Sequence, residues 1–248
     1  GCYPDQPTQF FEAGRAKKTM AMAAGVAGYE AALAAGLQTV CEQIFGRDWK
    51  REDGVDMRVR QLMIDANYGQ STATVRTFAR QSAFANSILP SHGRGVTASM
   101  RSLNDKKKSR GDKLGLNWYT GQVSAGQKSC VYDTNFWKTF IAQRLRISPG
   151  DPEAVMICKG NNELLMEHLT SEYPVRTEGR GRTVDEWKLS AARENHWFDC
   201  AVGCAVAASV DGVSPSNTDM VTRKRRKVEL TSGSKKIVLK KIVKPQGD

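Results

Sequence analysis

The tightest constraint on how this chain can fold is a helix with almost no polar face. Ala201, Val202, Cys204, Ala205, Val206, Ala207 and Ala208 follow directly on Asn195-His196-Trp197-Phe198-Asp199-Cys200. A helix that is apolar nearly all round has to be buried. Asn195 is a good N-cap and puts Asp199 in the first turn or just beyond it. An acid on a buried helix needs a partner. A second isolated acid, Asp65, ends the apolar run Leu62-Met63-Ile64 and precedes Ala66-Asn67-Tyr68-Gly69, which reads as a strand delivering a carboxylate to a sheet edge. Two such acids can share a metal ion. Each also has a structural reading: Asp199 can interact favourably with a helix N-terminus, and Asp65 can open a turn.

With 248 residues and 40% hydrophobic content, the chain can bury a sizeable core, and one soluble domain with extensions is expected. The small-residue run from Met20 to Val40 is interrupted by Gly25, Gly28, Glu30 and Gly36 and is too polar for a membrane span. No signal peptide is recognisable. The first residue is Gly1, so a processed product or a piece of a longer reading frame is expected. Six scattered cysteines, Cys2, Cys41, Cys130, Cys158, Cys200 and Cys204, point to reduced thiols in an intracellular protein. His196, Cys200 and Cys204 share a helical face, but no second His/Cys cluster completes a zinc set, so packed thiols are the favoured reading.

Strand and helix signals alternate, which makes the chain α/β. Residues 1–56 read as an entry segment with a helix over Ala16 to Phe45, 57–212 as the core, and 213–248 as a basic, flexible tail. Within the core, Met57 to Ile64 is expected as an incoming strand, Thr72 to Phe84 as a helix, Ser87 to Pro90 as a short strand and Gly93 to Lys113 as a basic loop. Leu114 to Thr120 and Ser129 to Asp133 follow as strands, then a helix from Asn135 to Leu145. Ala154 to Cys158 suits a strand and Glu163 to Leu169 a short helix. Tyr173 to Thr177 and Thr183 to Lys188 flank Glu178-Gly179-Arg180-Gly181-Arg182 as a hairpin. No GxxxxGK[ST] phosphate loop occurs, so no ATPase motor is recognisable.

Three blocks taken together carry a resemblance: LMIDANYGQSTATVRTFARQ around Asp65, VYDTNFWKTFIAQRL around Asp133, and the stretch from Leu169 to Ala208. They resemble the nuclease part of GpA-type phage terminase large subunits, in order, from about Gly1 to Gly212. The resemblance implies an RNase H-like nuclease fold, with acids from a first strand, a central strand and the last helix. Asp65 would match the central-strand acid and Asp199 the last-helix acid, together holding Mg²⁺ or Mn²⁺ in a two-metal site. It also implies double-stranded DNA as substrate, cut from concatemers during genome packaging. The small terminase subunit and the portal would be partners, in the cytoplasm of a bacterial host. The family's first-strand acid is expected upstream of Gly1, so the fold should lack its first strands.

Other residues are candidates for the same chemistry. Asp133 ends a strand and can either join the catalytic set or cap the following helix. Glu172, in a recurrent family block, can approach the metal or support a DNA-facing loop. His196 can orient a water or donate to phosphate. Arg94, Lys106, Lys107, Lys108, Arg110, Arg180 and Arg182 lie in glycine-containing loops, where cationic side chains can approach phosphates. Trp118, Trp137, Trp187 and Trp197 are expected in the core. Two rival readings are a DDE-type transposase using Asp65, Asp133 and Glu172, and a catalytically incomplete DNA-binding or assembly fragment.

The net charge of +11 points to a polyanionic partner. From Val221 to Asp248 there are ten basic residues against Glu229 and Asp248, so the tail holds most of the excess and the body is only mildly basic. Removing Val221 to Asp248 should weaken DNA binding without regard to sequence. Each lost phosphate contact should reduce the log-log salt slope by about 0.9 on duplex DNA. An unchanged slope in a fluorescence-anisotropy titration would make the tail a bystander.

Overall fold

A strand flanked by helices on both faces must be apolar on both, and Leu62-Met63-Ile64 meets that condition. In the computed structural model, which describes residues 20–51, 53–124, 127–151, 153–213, 231–232 and 235–236, this segment is β3 (Leu62–Asp65), after α1 (Met20–Ala24), α2 (Tyr29–Phe45), β1 (Trp49–Lys50) and β2 (Asp56–Met57). Leu62 and Ile64 pack with Cys41, Phe45, Phe78 and Ala79 on one side, and Met63 joins Leu89, Tyr132, Trp137 and Phe198 on the other. Period-two alternation therefore puts Asp65 on the Met63 side.

α3 (Gly69–Gln81) crosses over to β4 (Ile88–Arg94), which pairs parallel with β3 in the register Asp65↔Ser91. β5 (Lys113–Gly115), β6 (Trp118–Ser124) and β7 (Gln127–Asp133) form an antiparallel meander, and β7 returns parallel to β4. The result is a mixed five-stranded sheet in the order β3-β4-β7-β6-β5, compatible with a nuclease domain. Among the described residues β3 is an edge strand and β4, β7 and β6 are interior. α2 and α3 cover one face. α4 (Thr134–Arg144) and α6 (His196–Val210) cover the other. α5 (Glu163–Leu169) packs on α6, and the hairpin β8 (Glu172–Gly179) with β9 (Arg182–Leu189) packs on α4.

Several elements differ from the sequence reading. The helix expected over Ala16 to Phe45 is broken into α1 and α2, because Gly25 and Gly28 adopt φ of +64° and +91°, conformations that glycine enters without steric cost. Its first four residues lie outside the described set. The strand expected from Met57 is interrupted: β1 and β2 close a small hairpin, and β3 begins only at Leu62. Leu114 to Thr120 is two strands, since Asn117 turns the chain at φ 51°. Ala154 to Cys158 is irregular, with Val155 tied to the Arg144 carbonyl and Met156 73% exposed. The expected hairpin forms with longer strands, which pair up to Gly179 and Arg182 and leave Arg180 and Gly181 as the turn, both at positive φ, the requirement of a type I′ turn.

Two compact units are present, Gly1–Ser214 and Pro215–Asp248. In the second, β10 (Thr231–Ser232) and β11 (Lys235–Lys236) pair antiparallel; the remainder of the basic tail lies outside the described residues. No helix of the described residues is long and apolar enough to cross a membrane.

Phe198 binds α6 to the rest of the core. It is fully buried and meets Trp187 edge-on at 5.3 Å between ring centroids. Phe198→Ala should cost about 3–5 kcal/mol, read from the urea midpoint at an unchanged m value.

Candidate functional site

The C-terminal ends of the parallel strands open onto a cleft of about 990 Å³. One wall is the β3 edge with Asp65 and Asn67. The other is α6, which contributes Asp199, Cys200 and the small residues Gly203, Cys204, Ala207 and Ala208. Asp65 and Asp199, far apart in sequence, therefore face one space. The local folding that brings each there is different. Asp65 sits where β3 ends, and its Oδ1 accepts the backbone N–H of Asn67 at 3.1 Å in an Asx turn. Asn67 in turn donates through Nδ2 to the Gly93 carbonyl at 2.6 Å, fixing the β3 turn to β4. A Cβ on Gly93 would meet Thr134 Cγ2 at 2.6 Å, so a side chain there would have to displace Thr134.

Asp199 comes from the first turn of α6. Asn195 occupies the cap position, but its side chain makes no capping bond. It donates through Nδ2 to Glu172 Oε1 at 2.5 Å, so the expected capping role passes elsewhere. The ring of His168 supplies it: Nδ1 accepts the Trp197 N–H at 3.3 Å. His168 is 2% exposed, and its Nε2 faces Glu194 at 3.8 Å.

The central polar contact was not anticipated from sequence. Lys138 on α4 donates to Glu172 Oε1 at 2.6 Å and lies 2.9 Å from Asp199 Oδ1. Its side chain is 10% exposed, that of Glu172 2%, and that of Asp199 47%. A signal existed: Lys138 is the lone cation within Phe136-Trp137-Lys138-Thr139-Phe140-Ile141.

Electrostatics separate these acids. Although Asp65 opens to the cleft, the surrounding protein excludes much of its water. That desolvation pushes its pKa above the ordinary aspartate range, and the charge of Asp199 adds to the rise. Burial also raises the Tyr132 hydroxyl, helped by Asp65 and Asp199. Asp133 is pushed up to about 6 by burial. It does not line the cleft: it caps α4 by accepting the N–H groups of Asn135 and Phe136, and it accepts that of Val96 as well. Glu172 does not line the cleft either.

The seven loop cations are dispersed, and none lines the cleft. Arg94, Lys107, Lys108, Arg110 and Arg180 are exposed. Lys106 donates to Asp112 at 2.7 Å and lies 4.6 Å over the Tyr119 ring. Arg182 is taken up by the carbonyls of Thr97, Ala98 and Met100. The cations lining the cleft are Lys138 and Arg60, the latter 3.3 Å from Asp211.

Among the described residues no group of three or more His, Cys, Asp or Glu side chains is arranged to hold a metal ion. Asp65 and Asp199 nevertheless line one cleft, and carboxylates are the donor type that a hard divalent cation of the Mg²⁺ kind takes. Such ions take one or two carboxylates and complete their shell with water and substrate phosphate.

The family of the terminase large subunit gpA endonuclease domain matches residues 11–220. The chain belongs to this family. No curated protein and no solved structure gives a significant match. Membership suggests a nuclease role in phage DNA packaging. It also covers both walls of the cleft, since β3 and α6 lie within the matched span.

Burial lowers the pKa of His168, and the neighbouring His196 lowers it further while Glu167 opposes. The folded state thus prefers the neutral ring that caps α6, and the unfolded chain takes up the proton first. This component of stability should be complete above about pH 6.5, the ordinary histidine value, and be lost as pH falls below it. His168→Gln keeps an acceptor for Trp197 and should remove that component. The check is the difference between wild-type and variant melting temperatures at pH 8 and pH 5.5.

Proposed function

We propose that this domain is a metal-dependent endonuclease that cuts concatemeric double-stranded DNA during phage genome packaging, in the cytoplasm of the bacterial host. The observation that carries the reading is the convergence of Asp65 and Asp199 on one cleft, in a chain that belongs to the gpA endonuclease family. The proposed ligands of Mg²⁺ or Mn²⁺ are these two carboxylates. Once bound, the ion would polarise the scissile phosphate and activate water for attack. The chain's own residues prepare that event. Asn67 fixes the Asp65 carboxylate, and the short side chains of Gly203, Cys204, Ala207 and Ala208 leave the α6 wall open to a bulky backbone. Arg94, Lys107, Lys108, Arg110 and Arg180, all exposed, are candidates for phosphate contacts that orient duplex DNA without reading its sequence. The small terminase subunit and portal are the proposed packaging partners. An RNase H-like fold remains part of this reading, supported by the mixed sheet with helices on both faces.

The transposase-like set fares less well. Asp133 is occupied with three backbone N–H groups, and Glu172 with Lys138 and Asn195. Asp199 is the acid that opens to the cleft beside Asp65.

The test is Mn²⁺-dependent nicking of supercoiled plasmid. Asp65→Asn and Asp199→Asn should each reduce the rate by more than the roughly 100-fold that loss of an outer-sphere partner costs. Full activity in Asp199→Asn with loss in Glu172→Gln would favour the transposase-like set. Intact DNA binding without cutting by the wild type would favour the non-catalytic assembly reading.

A further inference from the structure

We propose that Lys138 is a positioning residue that holds Asp199 by one oxygen, and that Glu172 is the buried counter-charge of the lysine and not a ligand of the metal. This rests on the reading of Asp65 and Asp199 as ligands of a divalent cation. Three elements meet at the ammonium: α4 supplies it, β8 supplies Glu172 at its first residue, and α6 supplies Asp199.

The geometry gives the two carboxylates different tasks. Glu172 directs Oε1 to both Lys138 at 2.6 Å and Asn195 at 2.5 Å, and its side chain is 2% exposed. Nothing of it reaches the cleft. Asp199 gives Oδ1 to Lys138 at 2.9 Å but keeps its side chain 47% exposed, so its other oxygen is available to the cleft. An ammonium buried without a carboxylate would be costly, and Glu172 removes that cost. Lys138 can then grip Asp199 without cancelling its charge: the cluster of Asp65, Asp199 and Glu172 with Lys138 has three carboxylates to one ammonium. The two unmatched negative charges equal those of one divalent ion. A compact ammonium suits the position, because it can accept two carboxylates from different elements at a single point, whereas a planar guanidinium imposes its own fork.

The experiment measures Mn²⁺ binding to the full chain by the loss of the free-ion EPR signal. Wild type is compared with the double variant Lys138→Met/Glu172→Met, with Lys138→Arg and with Asp65→Asn. Replacing both members of a buried ion pair by apolar residues generally preserves folding, which circular dichroism and the melting temperature verify. With Asp199 released, the Mn²⁺ Kd of the double variant should weaken at least tenfold, and its crystal structure should place the Asp199 carboxylate in another rotamer. An unchanged Kd would make the pair purely structural, and a tighter Kd would make Lys138 a competitor of the metal; either overturns the proposal. If the double variant fails to fold, Lys138→Arg decides: it retains the charge, and a tenfold weaker Kd supports positioning while an unchanged one overturns it. Failure of the metal reading is separately visible as absent Mn²⁺ binding in wild type, or as binding that Asp65→Asn does not weaken. In that event the Asp199 rotamer in the Lys138 variants decides alone, displaced in support and unmoved against.

Discussion

One buried ammonium ties together the parts of this domain that matter for its chemistry. Lys138 lies on a helix packed against the sheet, yet its charge is shared between a carboxylate at the start of the β8–β9 hairpin and another in the first turn of α6. Taking such a charge out of water is expensive unless its donors are satisfied. The three elements are therefore held in one relative arrangement by a polar contact, in a region otherwise fastened by Phe198, Trp187, Trp137 and Val202. Apolar packing sets how closely α6 approaches the sheet. The lysine sets where its first acid points.

That arrangement has a local consequence at the start of α6. Asn195 is drawn away from its capping role to satisfy Glu172, and a histidine from the preceding helix takes over the cap. Two polar groups therefore meet at this helix end: Asn195 and Asp199 with Glu172 and Lys138, and His168 with the Trp197 amide and Glu194. Asp133 is likewise turned away from the cleft: its Oδ1 starts α4 and holds the backbone at Val96.

Much of this architecture was legible in the sequence. The strand ending at Asp65, the helix that follows it, a strand beginning near Ser87, the helix after Asp133, the hairpin and the apolar α6 follow from period, turn chemistry and length; that the strand continues through Gly93 and Arg94, read as loop, does not. The errors arose where short-range signals compete. Ala-rich helix propensity from Ala16 onward is overruled by two glycines at positive φ. The apolar run Ala154 to Cys158 has the composition of a strand but finds no ladder to join.

By itself, the sequence determined which acids are isolated in apolar surroundings, because that property depends only on immediate neighbours: Asp65 after Leu62-Met63-Ile64, and Asp199 ahead of Ala201 to Ala208. Only the tertiary structure decided which of four candidate carboxylates share a cleft. Asp133 ends β7 and Glu172 begins β8, and long-range partners occupy both: the Val96 amide for one, Lys138 and Asn195 for the other. The identity of a buried side chain's partner across 34 residues of chain has no local signature. It is set by which helices the sheet brings together.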